Sequence, residues 1–347
     1  MSFKIAGRNI GEEFEPLVVA EIGINHNGSL AEAFKLVDAA KAAGAELIKH
    51  QTHIPDAEMS LEARKVIPGN ADISIYEVIE NCSLSLDEEA SLAKYVRNAG
   101  LIYMSTPFSF EALEFLETLD VPAYKIGSGE CNNYPLVAAI ASKGKPVIMS
   151  TGMNSIESIR PSVEIFRKAG IPFALMHCTN LYPTPEKLIR LNALNELKNN
   201  FPDAILGLSD HSLTNYPCLA SVALGASILE RHFTDTKERP GPDIVCSMTP
   251  LELTELIKGS KIIHQASKGS KFPVSEEDVT IAFAFSSVVA TKQLESGHLI
   301  TRNDITLKRP NGGDFGPRDF EKLIGAKVLQ SIEPNIQIRE SQIEFNK

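Results

Sequence analysis

The stretch "ASILERHFTD", residues 226–235, opens on the apolar pair Ile228 and Leu229 and then meets Glu230, Arg231, His232 and Asp235 with no turn residue to separate them. A short apolar run of this kind reads as a buried strand. Charges and a histidine at its end require that the strand leave the core into an open, chemically useful face. The same design recurs upstream. Apolar runs with polar ends stand at "PLVVAEIGI" (16–24), "ELIKHQT" (46–52), "LIYMSTPF" (101–108), "AYKIGSG" (123–129), "PVIMSTGM" (146–153), "PFALMHCTN" (172–180) and "AILGLSDHS" (204–212). Between them lie segments with the 3.6-residue spacing of amphipathic helices, such as "SLAEAFKLVDAAKAAG" (29–44), "LDEEASLAKYVRNAG" (86–100) and "SIESIRPSVEIFRKAG" (155–170). Several carry Ser at the expected N-cap and Gly where the helix should stop.

Eight strand–helix alternations within residues 1–268 predict an α/β fold, a (β/α)8 TIM barrel rather than an open doubly wound sheet. The first strand–helix turn lacks G-x-G-x-x-G, which removes the commonest dinucleotide site. In such a barrel the C-terminal strand ends form the active face. Residues 53–82 form a longer polar insertion after the second strand. Beyond the barrel, Ser, Gly and Pro mark a linker over 269–282, followed by a compact β-rich domain over 283–347.

The five cysteines (82, 131, 178, 218 and 246) have no C-x-x-C spacing and predict reduced thiols. The N-terminus lacks an apolar signal region and no run approaches 18 apolar residues, so the expectation is a cytoplasmic protein with no membrane partner. The chain carries a net charge of −10; residues 283–347 hold 9 Lys/Arg against 8 Asp/Glu, so the acidic excess lies entirely in the remainder. An acidic chain offers no field for a nucleic-acid backbone, though a few focused cations can still hold a small anion.

His211 and His232 end consecutive strands and so should be neighbours. Two imidazoles completed by oxygen ligands suit Mn2+, Mg2+, Co2+ or Zn2+ as a Lewis acid, with Asp210 and Asp243 as supporting carboxylates. Lys49 and Lys125 end strands two and four. A lysine there is either a Schiff-base nucleophile or an anion clamp. The hydroxyls of Ser105, Thr106, Ser128, Ser150 and Thr151 favour a phosphate or carboxylate site. Glu21 and Glu130 are each either an acid–base group or a partner for a lysine. Glu230 and Arg231 are expected to pair with each other at the rim.

Taken together, "EIGINHNG", "KHQTH", "STPF", "KIGSGECNNYPL", "STGM", "TNLYPTP", "GLSDHS" and "LERHFTD" with "RPGPDIVCSM" resemble the N-acetylneuraminate (sialic acid) synthase family, and the tail resembles its antifreeze-like SAF domain. The resemblance covers essentially the whole chain. It implies condensation of phosphoenolpyruvate with an open-chain N-acetylated hexosamine and release of phosphate. Lys49, Thr106, Lys125, Ser128, Ser150, Asn180 and Ser209 would then hold phosphoenolpyruvate. His211 and His232 would hold Mn2+, or Mg2+ or Co2+, and act with Glu21 in catalysis. Asn70, Glu130, Tyr182 and Asp243 would surround the sugar. Arg309, in "LKRPNGGDF", would reach it from a partner's SAF domain in a domain-swapped homodimer. "KHQTH" and "IPGNADIS" resemble the members that take N-acetylmannosamine. The alternatives are the same condensation on a diacetamido-trideoxy hexose, giving legionaminic or pseudaminic acid, a pyruvate aldolase, and a catalytically silent sugar-binding protein.

Overall fold

The computed structural model describes residues 1–69 and 71–345. A short hairpin of β1 (Phe3–Ile5) and β2 (Arg8–Ile10) precedes the eight strands that matter. These are β3 (Leu17–Glu21), β4 (Leu47–Thr52), β5 (Ile102–Pro107), β6 (Tyr124–Ile126), β7 (Val147–Ser150), β8 (Phe173–Cys178), β9 (Ile205–Asp210) and β10 (Ala226–His232). All pair in parallel, each with the next in sequence, and β10 returns to β3 to close the barrel. Each quoted apolar run forms one of these strands.

The helices follow the local signals. Ser29, Ser85, Ser109 and Ser155 each accept a backbone N–H in the first turn of the helix that they precede. Gly170 ends its helix at φ +66, a left-handed conformation that a Cβ would disfavour. The insertion after β4 carries short helical segments at Pro55–Glu58, Leu61–Lys65 and Ile75–Cys82.

Alternation along each strand sorts the barrel into two cores. Leu17, Val19, Leu47, Met104, Ile148, Met176 and Ile228 point inward, where Ile5 and Ile10 of the hairpin join them. Val18, Ile48, Tyr103, Met149, Leu175 and Leu229 point outward against the helices. The inward face changes character toward the C-terminal strand ends, where Glu21, Lys49, Thr106, Lys125, Ser150, Ser209 and Glu230 replace the aliphatic side chains.

This alternation corrects the expectation that Glu230 and Arg231 pair. Adjacent residues of a strand face opposite sides. Glu230 enters the barrel, whereas Arg231 leaves it to donate to Asn215 Oδ1 at 2.6 Å and to the Ser212 carbonyl at 2.6 Å. Asp210 also turns away from the histidines, accepting from the Ser212 hydroxyl at 2.7 Å and lying 3.6 Å from Arg231 Nε.

Contacts divide the chain between Lys268 and Gly269. The segment over 269–282 is not all extended linker: a tight turn at Ser275–Glu277 leads into the helix Asp278–Ala284. Acidic residues at its start and a Pro-free run behind it account for the helix. The second unit pairs β11 (Ser287–Ala290) with β12 (Ile305–Lys308), and β13 (Lys327–Val328) with β14 (Ile343–Glu344), all antiparallel. Val288, Ile300, Ile305, Leu323, Val328 and Ile338 form its own core. Among the described residues no helix is long and apolar enough to cross a membrane, and all five cysteines are free and buried.

Candidate active site

A cavity of about 360 Å3 opens at the C-terminal ends of the barrel strands. Glu21, Lys49, Thr106, Lys125, Ser128, Glu130, Ser150, Asn180, Tyr182, Ser209, His211, His232 and Asp243 all line it, as the sequence anticipates. Asn70 lies outside the described residues. Arg309 belongs to the second unit, where it is exposed just after β12.

Charge is concentrated at the floor. Lys49 pairs closely with Glu21 and donates to Thr106 Oγ1 at 3.3 Å. Lys125 donates to Ser150 Oγ at 2.8 Å. Glu230 stands between the two ammonium groups, 3.7 Å from Lys49 and 3.5 Å from Lys125. Burial works against every one of these charges. For Lys49 the two carboxylates outweigh it and the pKa rises. For Lys125 burial wins and the pKa falls. Glu230 is pulled below the usual carboxylate range by both lysines despite its burial. Two buried lysines matched to two buried carboxylates form a charge-balanced floor that an incoming anion must rearrange.

Beside it the backbone makes a cradle. The Gly152 N–H donates to Ser128 Oγ at 3.0 Å, and Asn154 Nδ2 donates to the Ser128 carbonyl at 2.9 Å. A Cβ on Gly152 would overlap Asn180 Oδ1 and stand 2.8 Å from Ser128 Oγ, so only glycine leaves this space free. Asn180 Oδ1, Glu230 Oε2, Glu130 Oε2 and His232 Nδ1 are buried without a hydrogen-bond partner among the described residues. Unpaired polar atoms at one cavity mark where a polar ligand belongs.

The histidines meet as their strand order requires, with ring centroids 5.4 Å apart. His211 Nδ1 donates to the Thr179 carbonyl at 3.0 Å, which leaves Nε2 with a free lone pair. Burial and the neighbouring His232 push its pKa down to about 3, so the ring stays neutral. Asp243 Oδ2 lies 3.7 Å from His232 Nδ1, and burial raises the Asp243 pKa. The Tyr182 ring lies tilted against His211, with centroids 4.0 Å apart. Among the described residues no group of three or more His, Cys, Asp and Glu could enclose a metal unaided. Two imidazoles are donors of the kind a divalent ion takes, and water and substrate oxygens would have to supply its other ligands.

The outer cavity has a different chemistry. Burial raises the Glu130 pKa to about 7, so this carboxyl can donate as well as accept near neutrality. Ile24, Pro68, Ile75, Val78 and Ile79 form an apolar wall, most of it from the insertion after β4. Gln51 Nε2 donates to Glu21 at 3.4 Å and Gln51 Oε1 accepts from His53 Nε2 at 3.0 Å, and His53 stacks on Phe108 at 4.2 Å. Sequence reading assigns no place in the cavity to Gln51, Phe108, Gly152 or Cys178, and it pairs Glu230 with Arg231 instead. For Gln51 and Glu230 the period-2 rule held the signal, since each lies two residues from an inward-facing neighbour. Phe108 and Gly152 come together with the site only through folding.

Comparison with known proteins agrees with this arrangement. The NeuB family matches residues 36–271 and the SAF domain matches residues 285–344. The N,N'-diacetyllegionaminic acid synthase of Campylobacter jejuni is 33% identical, over 93% of this chain and 99% of that protein. The human N-acetylneuraminate-9-phosphate synthase is 30% identical, over 97% of this chain and 95% of that protein. Among solved structures, the N-acetylneuraminic acid synthetase of Leptospira borgpetersenii, crystallised with citrate, superposes with a TM-score of 0.74 at 29% identity, covering 81% of this chain and 95% of that one. With both units matched and the barrel cavity built as described, the chain belongs to the NeuB family of sialic-acid-type synthases and carries a SAF domain behind its barrel.

Proposed function

We propose that the protein is an N-acetylneuraminate synthase, joining phosphoenolpyruvate, open-chain N-acetylmannosamine and water into N-acetylneuraminic acid and phosphate by C–O cleavage. The observation that carries this reading is one cavity holding two buried lysines, a hydroxyl and glycine cradle and a histidine pair side by side. A silent sugar binder has no use for that combination, and an aldolase releasing pyruvate has none for a phosphate cradle.

In this mechanism Lys49 and Lys125 exchange their carboxylate partners for the anionic groups of phosphoenolpyruvate, with Thr106, Ser128, Ser150, Asn180 and Ser209 completing the cradle. Both lysines act as electrostatic clamps and neither forms a Schiff base. C3 of the enol attacks the sugar aldehyde carbon, and the carbonyl oxygen becomes the new hydroxyl. Lewis-acid polarisation of that aldehyde is what Mn2+, or Mg2+ or Co2+, would supply between His211 and His232. Positive charge left at C2 is flanked by the bound phosphate. Glu21 takes a proton from the water that adds to C2 and passes it on to the new alkoxide. The C2 hydroxyl then becomes the C2 carbonyl as the C2–O bond to phosphate breaks, its proton leaving with the phosphate. Glu130, Tyr182 and Asp243 surround the sugar hydroxyls and the N-acetyl group.

A second reading, the same condensation on a diacetamido-trideoxy hexose, is favoured by the apolar wall, which suits a methyl group where N-acetylmannosamine has a hydroxymethyl. One experiment separates the two. Phosphate release is measured with each sugar, with and without Mn2+, and the product is weighed by mass spectrometry. A nonulosonic acid formed only from the diacetamido sugar would replace the first reading by the second. No phosphate from either would remove both.

Gly152→Ala tests the cradle. The added methyl group displaces Asn180 and crowds Ser128, so kcat/KM for phosphoenolpyruvate should fall by about 100-fold while the melting temperature changes little. Unchanged kinetics would take the cradle out of the phosphate site. Arg309→Ala tests the shared site of the proposed homodimer. Losing one charge-assisted contact should raise the sugar KM by about 10- to 100-fold and leave the phosphoenolpyruvate KM alone. If the sugar KM stays put, the SAF domain has no part in sugar binding.

A further inference from the structure

The "EIGINHNG" segment contains a histidine that the mechanism does not use. His26 is buried in the turn after β3, and its Nε2 lies 3.1 Å from Nε2 of His50 on β4, with the two rings stacked at 5.2 Å. His50 is turned outward because its neighbours Lys49 and Gln51 point into the cavity. On its far side, His50 Nδ1 is 3.2 Å from Glu89 Oε1, near enough for charge pairing although off-axis for a hydrogen bond. Glu89 is itself buried and accepts from the Thr52 hydroxyl at 2.6 Å and the Tyr103 hydroxyl at 2.7 Å. A polar chain therefore runs from the helix Leu86–Asn98 through β4 to the turn at residues 22–28, entirely outside the cavity.

What this chain holds is the turn. Lys49 sits in the middle of a ladder with strands on both sides and is placed by the barrel itself. Residues 22–28 have no such ladder. Among their links to the barrel are the Ile22 N–H to the Lys49 carbonyl at 3.0 Å, Asn25 Nδ2 to the Phe233 carbonyl and to Ser247 Oγ, both at 2.8 Å, Asn27 Nδ2 to the Pro240 carbonyl at 2.7 Å and, reaching β4 through side chains, the His26–His50 contact. The turn begins at Glu21 and carries Ile24, part of the apolar wall. Burial and the nearby His50 push the His26 pKa down to about 3, so the His26 ring is neutral near neutral pH.

We propose that His26, held through His50 by Glu89, is a positioning residue that fixes the turn at 22–28 and with it the sugar-binding end of the cavity. The inference rests on the synthase reading for its kinetic form. Losing this anchor should weaken the sugar side and spare the phosphoenolpyruvate side, a division that general destabilisation cannot produce.

His26→Phe keeps a ring in the space and removes the nitrogen. The sugar KM should rise by about tenfold or more with the phosphoenolpyruvate KM within about twofold, and amide hydrogen exchange should quicken over residues 22–28 but not in β4. His26→Gln returns a polar group and should recover most of the loss. A folded His26→Phe protein with both KM values unchanged overturns the proposal. So does a fall in kcat that merely tracks the folded fraction. Should His26→Phe fail to fold, Glu89→Gln removes the charge behind His50 while keeping an acceptor for Thr52 and Tyr103, and the same split or its absence decides. If the wild-type protein releases no phosphate with any sugar, the synthase reading fails by itself. Hydrogen exchange over 22–28 then decides the anchor: faster exchange in the variant upholds it and equal exchange overturns it.

Discussion

Lys125→Met should lower kcat/KM for phosphoenolpyruvate by about 10³-fold, the cost of losing one preorganised cation at the transferring group. Lys125 is buried, donates to Ser150 and lies 3.5 Å from Glu230. Methionine fills much the same volume, so the change removes charge rather than packing. It also leaves Glu230, buried at the cavity floor, with a single lysine 3.7 Å away. Breaking one side of a buried ion pair costs about 3 kcal/mol, so the melting temperature should fall as well. Steady-state phosphate release gives the first number and thermal unfolding the second. A variant that loses stability but keeps its phosphoenolpyruvate KM would show that Lys125 is a structural counter-ion to Glu230, and would take it out of the substrate site.

The second large effect concerns the histidine pair. His211→Gln should weaken Mn2+ binding by at least about tenfold and reduce phosphate release by about 10³-fold, because Lewis-acid assistance contributes several kcal/mol at a carbonyl. Calorimetric titration of the metal-stripped protein with Mn2+ alone reads the first effect without requiring turnover. Chelator treatment of the wild type should abolish phosphate release, and Mn2+ should restore it. The neutral state of His211 makes it a ready donor: its pKa of about 3 means no proton competes with a metal at that ring at physiological pH. Metal affinity should therefore be nearly flat from pH 6 to 8 as far as His211 is concerned. Full activity in chelator-treated protein, or Mn2+ binding unchanged in the variant, would assign the pair to hydrogen bonding instead.

Much of this was legible from the chain. Eight apolar runs separated by amphipathic segments leave little choice but a closed parallel barrel, because parallel strands need crossover helices and both faces of the sheet must be covered. Once the barrel is granted, strand ends share a rim, and residues as distant as Glu21 and His232 become neighbours; in the structure they are paired in register on β3 and β10. The small C-terminal unit was legible as a change of pattern after residue 268, though the helix Asp278–Ala284 was not. Seven residues of mixed character carry too little periodicity to separate a helix from a linker.

Sequence by itself determined which side chains reach the rim, since strand order and two-residue alternation are local properties carried along each segment. It even contained the answer for Glu230 and Arg231, which alternation sends to opposite faces. Only the tertiary structure decided who pairs with whom. Glu230 bridges Lys49 and Lys125 from three different strands, Gly152 meets Asn180 and Ser128 across the rim, and His26 finds His50 and Glu89 behind it. Those pairings depend on ångström-scale distances set by barrel closure and by the packing of helices on its outside. No local pattern encodes them, because each partner's contribution exists only when the others are already in place.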